Sequence, residues 1–210
     1  MKLLFLDTET NGLPANRYAS YTDTNIWPHV IQLSWQLVDT DTWVVLAEQD
    51  AFIKPRASWN KDAERVHQIP ESVALKFGKE PEAVLADLHR DIQLCDGIVA
   101  HNLSFDKNAI LCEVQRLREA GNKMSAAEFW NSKKTQICTM VVTKRYCEIR
   151  FPNSEDYKFP KLGELYYKLF GVEYDISGAS LHNAKYDVSC LVTCFRQLVK
   201  MSEFVNLLNN

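Results

Sequence analysis

The sequence predicts an α/β layered domain: a mixed five-stranded sheet, three antiparallel strands plus parallel strands, flanked by helices. Three observations predict it. Strand patterns follow one another at residues 2–8, 29–38 and 43–53, separated by turn-rich stretches, which reads as an antiparallel meander. Beyond residue 81, helical periodicity alternates with short apolar runs, the order that lays helices over a partly parallel sheet. The chain's 210 residues suit one domain, 1–210, better than two. The edges are expected to be antiparallel and the centre parallel.

Residues 2–8 form a near-continuous apolar run, as in a strand buried on both faces, ending in an acidic turn that contains Gly12-Leu13-Pro14. Residues 13–28 are polar, aromatic and broken by prolines, which fits a surface loop beside a site. The turn Asp39-Thr40-Asp41-Thr42 joins the second and third strands. Val84, Leu85, Leu88, Ile92 and Leu94 give an amphipathic helix that ends near Asp96-Gly97. Residues 98–100 are a short buried strand. Ser104 is the expected cap of the next helix, which carries Phe105, Ala109, Cys112 and Leu117. A fifth strand is expected at 136–142, extending from Thr135. Segment 144–161 reads as irregular, basic and aromatic, and residues 162–170 as a short helix stopped by Gly171. Val188, Leu191, Val192, Phe195, Leu198 and Val199 stripe the last helix.

Hydrophobic residues at 46% and charged residues at 24% are ordinary globular proportions. No stretch approaches a membrane span, and the apolar run Leu3 to Leu6 is too short for a targeting segment. Six cysteines form no C-x-x-C pair and sit mostly in apolar runs, so reduced thiols in a cytoplasmic protein are expected. Cys190 and Cys194 share a helix face, but no second ligand pair at zinc spacing accompanies them. The net charge of −3 disfavours a non-specific coat on duplex nucleic acid and leaves room for an enzyme that grips a few nucleotides.

Asp7 and Glu9, two apart on a strand, point to one face about 6.6 Å apart along it. Such a pair stays ionised only with cations or donors between the carboxylates, and oxygen donors suit Mg²⁺ or Mn²⁺. Taken alone, the pair is more often just a solvated turn or a helix start. Asp106 falls in the first turn of a helix, where the dipole favours its charge. His182 and Asp187 lie about 140° apart around an uninterrupted helix, so they converge only if His182 precedes the helix, with Asn183 as cap.

The segments FLDTETNGLP, VAHNLSFDKNAI and LHNAKYDVSCLV, in that order, resemble the three exonuclease motifs of the DEDDh branch of the DnaQ-like 3′-to-5′ exonucleases. VIQLSWQLVD, FIKP, ERVHQIP and KLGELYYKLFG resemble further features of that family, so the likeness spans nearly the whole chain. It implies an RNase H-like sheet. It also implies two Mg²⁺ or Mn²⁺ ions held by Asp7, Glu9, Asp106 and Asp187, with His182 as proton acceptor. The substrate would be a nucleic acid with a free 3′ end, single-stranded or frayed DNA first, met by Thr8, Glu9, Thr10 and Leu13 and faced by Asn102 and Phe105. Nucleoside monophosphates would be released. An exoribonuclease trimming RNA 3′ ends, or a non-catalytic binding module of the same fold, are the alternatives. Paired carboxylates also serve glycoside hydrolases, a reading that leaves Asp106, Asp187 and His182 without a role. No polymerase-binding segment stands out, so a polymerase or repair complex is without support in the sequence. The run from 15 to 28 is longer than the usual link after the first motif, and His182 is followed by Asn-Ala-Lys-Tyr rather than small residues. Both departures bear on how the strand enters. Arg145, Arg150, Lys158 and Lys161, interleaved with Tyr146, Phe151, Tyr157 and Phe159, read either as a platform for a single strand or as a solvated loop anchored by rings.

Overall fold

Leu3 to Leu6 are fully buried at the centre of β1 (Lys2–Thr10), the strand around which the sheet is built. The computed structural model describes residues 1–174 and 183–208. β1 pairs antiparallel with β2 (Val30–Asp39), which pairs antiparallel with β3 (Val44–Phe52). On its other side β1 pairs parallel with β4 (Gly97–Ala100), and β4 pairs parallel with β5 (Thr135–Cys138). The order is β3-β2-β1-β4-β5. The expected three antiparallel strands and mixed five-stranded sheet are therefore present, but only one edge is antiparallel. Parallel pairing runs from the centre to the other edge, because β4 and β5 each reach their place through a helical crossover.

Helices cover both faces. α1 (Lys61–His67), α2 (Glu71–Phe77) and α3 (Pro81–Leu94) follow β3; α4 (Leu103–Glu119) and the single turn α5 (Ala126–Phe129) link β4 to β5. α6 (Thr139–Val142), α7 (Lys144–Cys147), α8 (Leu162–Phe170) and α9 (Ala184–Leu198) complete the set, with a short 3₁₀ turn at Val205–Leu208. The pleat of β1 divides the core. Leu4 and Leu6 pack with Leu88 and Ile92 of α3 and Ile110 of α4, while Leu3 and Phe5 pack with Val188, Leu191 and Phe195 of α9. Gly97 is required where β1 and β5 crowd β4: a Cβ there would meet Leu3 Cδ2 and the Thr135 carbonyl at 3.0 Å.

Local expectations fail where a tertiary bond overrides a pattern. The fifth strand ends at Cys138 rather than Val142, because Thr139 turns the chain into α6 and its hydroxyl reaches the Ala100 carbonyl and His101. Ser104 does not cap α4. The helix starts two residues earlier, after Asn102 in left-handed conformation (φ 75°), and Ser104 lies inside its first turn. Helices α1, α2 and α5 have no counterpart in the sequence reading, being seven, seven and four residues long and too short for a clear periodic stripe. All six cysteines are free; five are buried and Cys138 is half-buried. No helix among the described residues is long and apolar enough to cross a membrane.

Candidate active site

Side chains alternate along β1, so Asp7 and Glu9 continue the face of Leu3 and Phe5, toward α9, while Thr8 and Thr10 continue the face of Leu4 and Leu6, toward α4. Asp187 stands in the first turn of α9. One carboxylate oxygen from each of Asp7, Glu9 and Asp187 lies within 4.8 Å of the others. Asn183 caps α9, its side-chain oxygen accepting from Lys185 N at 3.2 Å, as the sequence reading expects. His182, the expected proton acceptor, lies outside the described residues.

Asp106 approaches from α4 and is 2% exposed. Its Oδ1 accepts from Thr8 N at 3.0 Å and from Thr8 Oγ1 at 2.8 Å, fixing the carboxylate against the strand between Asp7 and Glu9. Four acids from three elements thus meet at the C-terminal end of β1. Burial, then the charges of Asp106, Asp187 and Glu9, hold the Asp7 carboxyl well above the usual range. Burial, then Asp187 and Asp106, push Glu9 up to about 9. Asp106 rises to about 7, driven by burial and opposed by the Thr8 hydrogen bonds, with Asp187 adding to the rise. Carboxylates crowded this way share protons or share cations. An all-oxygen donor set matches hard divalent ions, Mg²⁺ or Mn²⁺, and the residues present fit such ions.

The expected substrate contacts divide. Both donors of Thr8 serve Asp106, and the Thr10 hydroxyl donates to the Gly12 carbonyl at 2.7 Å, holding the turn after the strand. Leu13 is 83% exposed at that turn. Asn102 occupies the cap of α4, and Phe105 is half-buried with its ring 6.0 Å from that of Trp27. Beyond the turn opens a cleft of about 350 Å³, lined among others by Asn11, Leu13, Trp27, His29 and Asn60. The loop 15–28 that walls it is pinned from α4, where the Arg116 guanidinium donates to the carbonyls of Thr24, Trp27 and Pro28 while Glu113 balances its charge.

Gln32 escaped the sequence reading. Fully buried on β2, opposite Glu9, it donates to Asp50 Oδ1 at 2.8 Å and Asn183 Oδ1 at 3.3 Å and accepts from Ala184 N at 3.2 Å. It therefore sets the start of α9 and, through it, the place of Asp187. The available signal was an amide inside the apolar run VIQLSW, since a buried amide demands partners.

Fold and site together define an RNase H-like α/β domain with an acidic cluster at the C-terminal end of its central strand. Among solved structures the chain is similar to Exonuclease I. The E. coli enzyme in complex with a dA16 oligonucleotide shares 18% identity at a TM-score of 0.71, over 99% of this chain and 43% of that one. Its complex with a dT13 oligonucleotide gives 20% and 0.71, over 99% and 42%. An apo Exonuclease I gives 18% and 0.73, over 99% and 44%. This chain thus spans less than half the length of those proteins, and at such identity the likeness establishes the shared fold. No protein-family model and no curated protein matches the sequence.

Proposed function

We propose that this chain is a metal-dependent 3′-to-5′ exonuclease of the DEDDh type, hydrolysing the terminal phosphodiester of single-stranded or frayed DNA and releasing nucleoside monophosphates. The observation that carries the reading is the convergence of Asp7, Glu9 and Asp187 within 4.8 Å, with buried Asp106 behind them. Asp7, Glu9 and Asp187 would hold two Mg²⁺ or Mn²⁺ ions, and Asp106 would support them from the α4 side. When bound, a pair of such ions neutralises charge on the attacking and leaving oxygens of an in-line displacement. His182, by the sequence resemblance, accepts the proton of the attacking water, a role worth about 10² to 10⁴ in rate. The cleft beyond Leu13 has the volume of a small ligand site and opens within two residues of Glu9, which suits the seating of a strand's last nucleotide. Solved structures of the same fold carry oligonucleotides dA16 and dT13, which favours DNA over RNA as the first substrate to test.

Digestion of matched single-stranded DNA and RNA oligonucleotides, labelled at the 5′ end, with Mg²⁺ and with EDTA, tests the reading. A ladder shortening from the 3′ end, dependent on metal and blocked by a 3′-phosphate, is expected. Unimpeded digestion of the blocked strand, or undiminished activity in EDTA, overturns it. Asp7→Asn is expected to abolish turnover while raising the melting temperature in EDTA, because it removes one of four mutually repelling carboxyls; an active Asp7→Asn protein removes the metal-site assignment.

A further inference from the structure

We infer that the segment after β5 is a platform on which the single strand upstream of the scissile end stacks, which rests on the exonuclease reading and extends it to a second contact region. β1, β4 and β5 are parallel, so their C-terminal ends share one rim of the sheet. Asp7 and Glu9 end β1, Asp106 follows β4, and segment 144–161 follows β5 on that same rim. His101, immediately after β4, holds the chain before the segment and the segment's C-terminal end: its Nδ1 lies 2.9 Å from Thr139 Oγ1 and its Nε2 2.9 Å from the Pro160 carbonyl. Phe159 is therefore anchored within six residues of Asp106 along a path of one hydrogen bond and one helical turn. Backbone bonds from Lys158 N to the Ile149 carbonyl and from Phe151 N to the Asp156 carbonyl close a small hairpin on which Phe151 is exposed and Tyr157 half-buried.

Two of the rings are exposed. Phe151 is 49% and Phe159 47% exposed, so part of each ring is open to a stacking partner. Phe159 and the neighbouring Tyr157 each have a cation over one face: Lys144 Nζ lies 4.9 Å from the centre of Phe159 and the Arg150 guanidinium 5.7 Å from that of Tyr157. Arg150 and Lys158 also pair with Glu155 and Glu164. Among the described residues no carboxylate pairs with Lys144 or with exposed Arg145. Segment 144–161 holds five lysines and arginines against three acids, a positive surface on a chain of net charge −3. Rings flanked by cations match an unpaired strand, whose bases stack on the rings while its phosphates meet the cations; a duplex hides those base faces.

The test separates length from chemistry. The double variant Lys144→Ala with Phe159→Ala changes one half-buried and one exposed side chain, and Phe151→Ser supplies an independent change on the hairpin. Turnover of a trinucleotide and of a strand of roughly twenty nucleotides is compared with Mg²⁺, and binding of the fluorescent longer strand is measured in EDTA, where no turnover is needed. The variants are expected to lose about tenfold or more in binding and in kcat/KM on the long strand while trinucleotide turnover holds. Arg145→Ala should lower the salt slope of binding by about one. Equal loss on both lengths, no loss on either, or failure of the wild-type protein to bind the long strand overturns the platform. Wild-type protein that binds in a Phe159-dependent way yet digests neither substrate supports the platform and overturns the exonuclease reading.

Discussion

At Thr8 a backbone N–H and a hydroxyl converge on one carboxylate oxygen of Asp106. Hydrogen bonds to a charged group contribute more than neutral ones, about 1.5 to 3 kcal/mol each, and here they oppose the burial that drives the Asp106 carboxyl up toward 7. Thr8→Val keeps the shape and removes only the hydroxyl. Its kcat/KM near neutral pH is expected to fall about tenfold or more, with Thr8→Ser restoring most of the loss. A Thr8→Ser protein no better than Thr8→Val would show that the methyl, not the hydroxyl, matters. The family resemblance makes Thr8 a candidate substrate contact, and the fold brings Asp106 to its backbone N–H and hydroxyl. The roles of Asp7 and Glu9 as neighbours were legible, since a spacing of two on a strand fixes a common side whatever the fold.

Among elements, α9 shows how a helix start becomes a site. Asn183 caps it locally, which sequence indicates, but its direction depends on Gln32 across the sheet, which holds Asn183 and Ala184 N together. Gln32→Met conserves volume and removes the amide. It is expected to cost about 1 to 3 kcal/mol of stability by leaving buried polar groups unpartnered, and to raise the Mg²⁺ concentration for half-maximal activity about tenfold as Asp187 drifts from Asp7 and Glu9. Denaturant titration and a metal titration check the two effects; an unchanged metal requirement would leave Gln32 a merely structural residue. The step from β5 to α6 carries the converse lesson. Residues 136–142 read as one strand because Met140, Val141 and Val142 extend an apolar run, and only the bond of Thr139 to Ala100 and His101 reveals the bend. A period-two pattern and a single helical turn are indistinguishable over four residues.

For the whole molecule, gathering acids at one strand end has a thermodynamic signature. Without metal, folded Glu9, pushed to about 9, keeps a proton that the unfolded chain releases near 4.5, and Asp7 and Asp106 are shifted in the same direction. The native state therefore binds more protons than the unfolded state in this window, so stability falls as pH rises from the ordinary carboxylate range toward about 9. Burial lowers the His67 pKa from 6.5, which acts with opposite sign and only below that value. Unfolding curves in EDTA between about pH 7 and 8.5 are thus expected to show declining stability, with the slope reduced in Glu9→Gln and in saturating Mg²⁺. Stability that is flat or rising over that interval in EDTA would contradict the crowding of acids.

The strand spacing of Asp7 and Glu9, the cap at Asn183, the apolar stripe of α9 and the count of five strands follow from the chain's own periodicity, because side-chain direction along a strand or helix is a property of backbone geometry. Which strand is an edge, how Asp106 reaches Thr8 across 98 positions, and why Gln32 is buried opposite Glu9 were decided by the packed sheet. Those contacts join residues far apart in the chain, and only the register of strands and the crossing of α4 and α9 over them determine which distant groups meet.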